Sequence, residues 1–401
     1  MWHSTRAQLL ARLGAFCVAT VLLLFIMYQP ARQVFRSTGD VALYQRYARL
    51  ALASPPALPR EYPPASALIF VVPQLIAPSS YPLVFALLAA LAVWLLVVVV
   101  DRSSGRGWWL LLYLALGAIG TLFFRFDIFV VLLTVLAYAA AQGRRWYIAQ
   151  ALLALGVALK LYPVILMPLV AVWQWRDTGR FPWSGGAAAA ALLALALGSM
   201  WWIAPEQTAG MLRYHRDRPL EFESIGASIA WLIGPVRARW SFGSFNLESP
   251  LSRMLIPALT VANIALLAAV YLSFLRGSLK PAAAWALTLL AAIATSKVFS
   301  TQYVLWALPF LVLATEGNMR WRLFWLWAGI CVVTSLIYPV AYSYYEPTLT
   351  NRRPPAGMMW LVTLRNTLWL IGCIAACRAW YGQVAAESIT WRAQLQPRSR
   401  L

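Results

Sequence analysis

Acidic residues are scarce in this chain, with 13 Asp and Glu against 33 Lys and Arg and a formal net charge of +20 over 401 residues. Charged residues of both signs reach only 11%, too few to cover the water-facing surface of a soluble protein of this length. Histidine is nearly absent (His3 and His215), and Cys17, Cys331, Cys373 and Cys377 are the only cysteines. That leaves no His/Cys cluster for a transition metal. The four cysteines fall in apolar runs, where the thiol behaves as a small apolar side chain, so no disulfide framework or redox compartment follows from them. Lysine occurs only at Lys160, Lys280 and Lys297. The remaining basic charge is arginine, spread through the loops between apolar runs, where it meets anionic headgroups and sets topology. That distribution excludes a nucleic-acid partner and points to membrane lipids.

What is abundant is hydrocarbon. Hydrophobic residues make up 62% of the chain and the mean hydropathy is +0.68. Apolar runs of roughly 17–25 residues recur from end to end, continuous rather than alternating, which predicts membrane-spanning helices and not a barrel. The expected fold is an all-α polytopic membrane protein, a single integral membrane domain over 1–401. Its basic N-terminus leads into an uncleaved first span ending near Tyr28. Ser66–Pro78 is apolar but short and reads as a partial span, and Tyr81–Val100 as a full one. Further spans are expected near 108–124, 127–142, 146–160, 162–175, 184–204, 252–275, 281–296, 302–315, 322–343 and 357–378, about twelve in all.

Two polar stretches interrupt these runs, a first loop over 29–66 and a second over 205–250. The short turns at 102–106, 144–145, 176–180, 276–280 and 320–322 each carry a basic pair, whereas the opposite turns carry one basic residue each, at Arg125, Lys160 and Lys297. Short flanking loops obey the positive-inside rule. Both termini are therefore expected inside, with the two polar loops facing outside.

On that topology the unusual charges collect on one face: Asp40 and Glu61, Arg125 and Asp127, Lys160, Lys297, and the 213–224 stretch with His215, Arg218 and Glu223. An ionisable residue in apolar sequence is costly and usually faces a cavity. Each has a plainer reading too. Asp40 follows Ser37-Thr38-Gly39 and is equally placed to cap a helix. Arg125 and Asp127 can pair with each other, Arg213 and Asp217 can pair four apart on a helix, and Lys160 and Lys297 can snorkel to the interface. Glu61-Tyr62-Pro63-Pro64 can be a kinked entrance to the next apolar segment.

Taken together and in order, these segments resemble glycosyltransferase family 87, polyprenyl-phosphate-sugar-dependent mannosyltransferases of the GT-C superfamily. The likeness rests on Gly39-Asp40 with Tyr44, Glu61-Tyr62-Pro63-Pro64, Arg125-Phe126-Asp127 and Lys160-Leu161-Tyr162-Pro163. It continues through Tyr214-His215 with Arg218, Glu223-Ser224, Lys297-Val298-Phe299-Ser300, Gln302-Tyr303 and Trp306-Ala307-Leu308-Pro309, covering roughly residues 39–309. The resemblance implies a GT-C-like bundle in the bacterial cytoplasmic membrane, with Asp40 catalytic in a long first outer loop. It implies donor or substrate contacts from Glu61, Tyr62, Arg125, Asp127, Lys160, Tyr162, His215, Arg218, Glu223, Lys297, Gln302 and Tyr303. One departure stands out: the better-known branch places a tryptophan and a histidine pair where this chain has Ser300-Thr301-Gln302-Tyr303, which leaves the sugar open.

The chemistry fits the residue types. A polyprenyl phosphate is already a good leaving group, so inverting transfer needs one carboxylate to take the acceptor proton and positive charge for the phosphate. Hydrolysing a glycoside would need two carboxylates. Neither a metal nor another cofactor is expected; the donor sugar lipid is a substrate, and the acceptor is lipid-linked or a glycan. The rival class is a multi-pass transporter or a lipid or polysaccharide flippase, which also gathers charge in a cavity but often shows paired halves. No internal repeat is visible. A non-catalytic scaffold of envelope synthesis is the third class, and it predicts that no single carboxylate matters.

Overall fold

The computed structural model describes residue 14 and residues 39–54, 57–118, 120–316, 320–345 and 354–395, with side chains described through residue 381. The expected first span, Cys17 and the start of the first polar loop lie outside the described residues. The chain is predominantly helical. Helices α1 (Asp40–Ala51), α2 (Ala67–Ile76), α3 (Tyr81–Ser104) and α4 (Gly107–Gly117) are followed by α5 (Asp127–Gln142), α6 (Trp146–Leu159), α7 (Met167–Thr178) and α8 (Trp183–Ile203). The second polar stretch then forms α9 (Pro205–Asp217), β1 (Leu220–Glu221), α10 (Ile225–Ile233), β2 (Arg237–Ser241) and β3 (Ser244–Glu248). The remainder comprises α11 (Ser252–Leu275), α12 (Pro281–Ala294), α13 (Val304–Ala314), α14 (Arg320–Ser335), α15 (Tyr342–Tyr345) and α16 (Ala356–Leu395), with a π-helical turn at Leu336–Ala341 between α14 and α15.

Among the described residues five helical stretches are long and apolar enough to cross a membrane: Pro78–Ser104, Trp183–Ile203, Ser252–Leu275, Trp321–Tyr345 and Ala356–Tyr381. A 24-residue helix such as α11 measures about 36 Å, enough for a hydrocarbon core of about 30 Å. Among the described residues the other apolar helices are shorter, Gly107–Gly117 and Asp127–Gln142 among them. The run expected over 108–124 stops as helix at Gly117 and turns before Arg125, and the run from 162 opens as a 3-10 segment, Tyr162–Leu166, before α7 begins. Proline and the turn residues cut these apolar runs into pieces that hydropathy alone joins. Ser66–Pro78, expected to be partial, is the ten-residue α2 with Pro73 inside it.

Burial sorts the helices into two layers. Every side chain of α13 is buried, and Ala282 through Leu290 of α12 likewise, so this pair forms the centre of the main core with α4, α5 and α6 around it. In contrast, only 6% of the apolar windows of α8 and α11 is buried, leaving Leu195, Trp202, Val261 and Ile264 exposed. An apolar helix surface of that extent is at home in lipid tails, which are as apolar as leucine.

The second polar stretch holds the only strands among the described residues, a finding that hydropathy did not announce. They form an antiparallel sheet of order β1-β3-β2 with Leu220 opposite Leu247 and Trp240 opposite Phe245. Leu220, Ala238, Phe245 and Leu247 pack on Met358, Met359 and Val362 of α16, which fastens the hairpin to the bundle. Its two-residue turn places Phe242 and Gly243 at φ 53° and 67°, the left-handed pair that a tight right-twisted hairpin requires. The Tyr214 hydroxyl donates to the Phe242 carbonyl and holds this turn down. Ser224 caps α10, its Oγ accepting from the Ala227 N–H at 3.1 Å.

Candidate functional site

The helix ends that carry the unusual charges surround one cavity of about 530 Å3. Asp40, Glu61, Tyr62, Arg125, Lys160, Tyr162, His215, Arg218, Glu223, Gln302 and Tyr303 all line it. Asp127 stands behind the lining and Lys297 does not reach it. Residues some 260 positions apart in sequence thus meet, because helix ends at Asp40, Arg125, Lys160 and Tyr303 and parts of the two polar stretches gather at one cavity.

The ion pairs differ from those the spacing invites. Asp40 is the first helical residue of α1 rather than its cap; Gly39 holds the N-cap position, with no side-chain cap. The Asp40 carboxylate instead meets Arg125 at 2.6 Å, so Arg125 and Asp127, two apart, do not pair with each other. Asp127 opens α5 and receives Lys160 Nζ at 2.7 Å and the Trp306 indole N–H at 2.8 Å. Both aspartates lie in the first turn of a helix, where the dipole favours a carboxylate. The Arg213–Asp217 pair is absent too: Asp217 takes Arg216 at 2.7 Å.

Lys160 does not snorkel. It ends α6 with its side chain 13% exposed, and its ammonium lies 4.9 Å from the ring centroid of Phe126, 5.4 Å from Trp306, 5.7 Å from Tyr303 and 5.9 Å from Tyr62. Such faces attract a desolvated cation. Trp306 is itself sandwiched between Tyr162 (centroids 4.1 Å apart, 5° between planes) and Tyr303 (3.9 Å, 24°). Its two faces are therefore occupied, and it holds Asp127 rather than offering a platform to a sugar. Lys297 is different: it donates to the Arg216 carbonyl at 3.0 Å from a more open position.

The opposite wall comes from the second polar stretch. Arg218 reaches Glu221 at 3.1 Å and Ser244 Oγ at 2.9 Å, yet its Nε is buried with no hydrogen-bond partner among the described residues. Glu221 also accepts from the Phe299 N–H at 2.7 Å and from Ser300 Oγ at 2.5 Å, tying β1 to the segment that precedes α13. Glu223 accepts from the Tyr342 hydroxyl at 2.9 Å and lies 3.6 Å from Arg365. Burial raises the Glu223 carboxyl pKa against the opposing pull of Arg365. Glu61 accepts from the Tyr47 hydroxyl, and burial raises its pKa as well, a shift the Tyr47 bond opposes and nearby Asp40 reinforces. At His215, burial of the ring and then the charges of Arg218 and Lys160 lower the imidazole pKa to about 4, although part of the residue stays exposed.

Sequence reasoning missed Glu221, Arg365 and the hairpin. Arg365 is fully buried in α16 and donates to the carbonyls of Glu223 at 2.7 Å and Phe299 at 3.2 Å, while neighbouring Asn366 donates to those of Glu223 and Ser224 at 3.1 Å each. The signal was present, an arginine inside the apolar run MMWLVTLRNTLWL, and the rule applied to Lys160 applies equally there. Glu221 carried no such signal, because LEFES reads as ordinary loop.

No group of three or more His, Cys, Asp or Glu is placed to hold a metal among the described residues. The arrangement offers carboxylates, three cations at the lining and hydroxyl donors around one cavity, a set suited to a phosphate and to sugar hydroxyls. No protein-family model matches the chain, and no curated protein matches it.

Proposed function

We propose that this chain is an inverting membrane glycosyltransferase with a GT-C-like bundle, as its resemblance to glycosyltransferase family 87 implies. It moves a mannose-like hexose or a pentose from a polyprenyl-phosphate donor to a lipid-linked or glycan acceptor. The reaction takes place at the outer face of the bacterial cytoplasmic membrane, with both termini inside. The observation that carries this reading is the convergence of Asp40, Arg125, Lys160 and Arg218 on a single cavity.

In the transfer, the acceptor oxygen attacks the anomeric carbon while the carbon–oxygen bond to phosphate breaks and its electron pair goes to the phosphate. The acceptor proton passes to the Asp40 carboxylate. Arg125, Lys160 and Arg218 stabilise the charge that grows on the leaving phosphate. The unpartnered Nε of Arg218 supports this role, since a buried donor without a partner costs about 1–3 kcal/mol until an oxyanion meets it. At rest Arg125 holds the Asp40 carboxylate, and a phosphate that draws on Arg125 frees that carboxylate to meet the acceptor hydroxyl.

The test is incubation of purified protein with a panel of polyprenyl-phosphate sugars and acceptors, reading release of the lipid phosphate. Asp40→Asn removes the base and keeps the shape of the side chain. It is expected to lower the rate by roughly 10²–10⁴-fold, the contribution typical of general base catalysis. Wild-type activity in this variant would remove Asp40 from the mechanism, and no release from any donor would remove the transferase reading.

A further inference from the structure

We propose that Trp240 and Glu61 form an acceptor-sugar subsite at the hairpin end of the cavity, and that the acceptor is a glycan rather than a bare lipid alcohol. This rests on the transfer reaction above and goes beyond it by naming what receives the sugar.

Strand register gives the first observation. Trp240 lies opposite Phe245 and two residues from Ala238, on the sheet face that packs against α16. Ala238, Phe245 and Leu247 on that face are no more than 3% exposed, whereas Trp240 is 53% exposed and lines the cavity. Its ring meets Phe245 edge-on (centroids 4.8 Å apart, 74° between planes), and among the described residues no aromatic ring is stacked parallel to it. An indole face is thus open where the register would otherwise bury it. Trp306, the other tryptophan of the lining, has both faces covered.

Glu61 gives the second. The carboxylates of Asp40, Glu221 and Glu223 each have an arginine within 4 Å, but Glu61 has no basic partner among the described residues and accepts only from the Tyr47 hydroxyl. Its Oε2 lies beside the hairpin turn, where a Cβ built on Gly243 would stand 3.7 Å away. The hairpin that presents the Trp240 face therefore also borders the lining carboxylate that, among the described residues, has no basic partner.

A carbohydrate ring offers an apolar C–H face and a fringe of hydroxyl donors. An aromatic face beside a carboxylate complements both. A hydrocarbon alcohol would have no use for the free lone pairs of Glu61, and burying them unmet is costly.

The experiment uses the full-length protein in nanodiscs and saturation-transfer NMR with mannose, glucose and arabinose trisaccharides. At least one is expected to bind wild-type protein. Trp240→Ala should weaken that binding roughly tenfold, as loss of a single aromatic anchor does, and Trp240→Phe should retain most of it. In the transfer assay, Trp240→Ala should raise acceptor KM by a similar factor, roughly tenfold, with donor KM unchanged. The subsite is overturned if no trisaccharide binds, if Trp240→Ala binds as well as wild type, or if Trp240→Ala changes membrane partition and not sugar binding. A parallel rise in donor KM would overturn it as well. Lipid-phosphate release by wild-type protein judges the transferase reading separately, and the NMR measurement reads the subsite whatever that release shows.

Discussion

Two turns look alike in sequence and part company in space. ALKLYP and TSKVFS each place one lysine between apolar helices. Lys160 ends buried against Asp127 within four aromatic rings, while Lys297 sits more openly and donates to the Arg216 backbone carbonyl. The difference is the partner. Asp127 opens α5 opposite the end of α6, and Trp306 fixes it there, so Lys160 is drawn inward to a waiting carboxylate. The turn at Lys297 faces the second polar stretch, where Asp217 is already held by Arg216. A charge in apolar sequence marks a place worth attention, and its tertiary partner decides whether it is a wall of the site or part of its surroundings.

The comparison can be broken most sharply at Lys160. Lys160→Met leaves Asp127 buried with its cation gone, and removing one partner of a buried pair costs about 3–5 kcal/mol. Thermal unfolding in detergent should show that loss, together with reduced lipid-phosphate release. Adding Asp127→Asn should recover part of it, because the double variant no longer buries a lone charge. Purely additive losses would mean that the pair is uncoupled. Lys297→Met should stay within about 0.5 kcal/mol of wild type with unchanged donor KM, as for a substitution away from buried pairs. A large rise in donor KM there would return Lys297 to the site. The smallest effect concerns His215. Its folded-state pKa is lowered from 6.5 to about 4, so its contribution to stability is present above about pH 6.5 and is lost as pH falls toward 4. His215→Gln should therefore flatten the pH dependence of the melting temperature in that window and leave the rate profile between about pH 6.5 and 8 unchanged.

Much of the site was legible before any coordinates. Lys160, Arg125, Asp127 and Asp40 stand out because lipid-like sequence tolerates so few ionisable residues, and of these only Asp127 sits behind the cavity wall. The pairings were not legible. Neighbours in sequence, Arg125 with Asp127 and Arg213 with Asp217, invited local pairs, yet Arg125 and Asp127 chose partners on other helices, and Asp217 took Arg216. Nor was the hairpin visible, since RARWSFGSFNLE is short, carries charge and sits in a loop rich in polar residues. Its left-handed turn at Phe242 is held by a tertiary contact from Tyr214.

Hydrophobic content and the length of the apolar runs were enough to settle the helical, membrane-compatible character of the chain, because backbone groups in hydrocarbon must bond within their own segment. Composition alone also ruled out a water-covered globule. Which runs become full-length helices, which tryptophan face stays open and which carboxylate stays without a cation were decided only on folding. Those outcomes depend on which helix ends meet, and the meeting is set by packing between α5, α6, α13 and α16, whose contacts join residues too far apart for periodicity to connect.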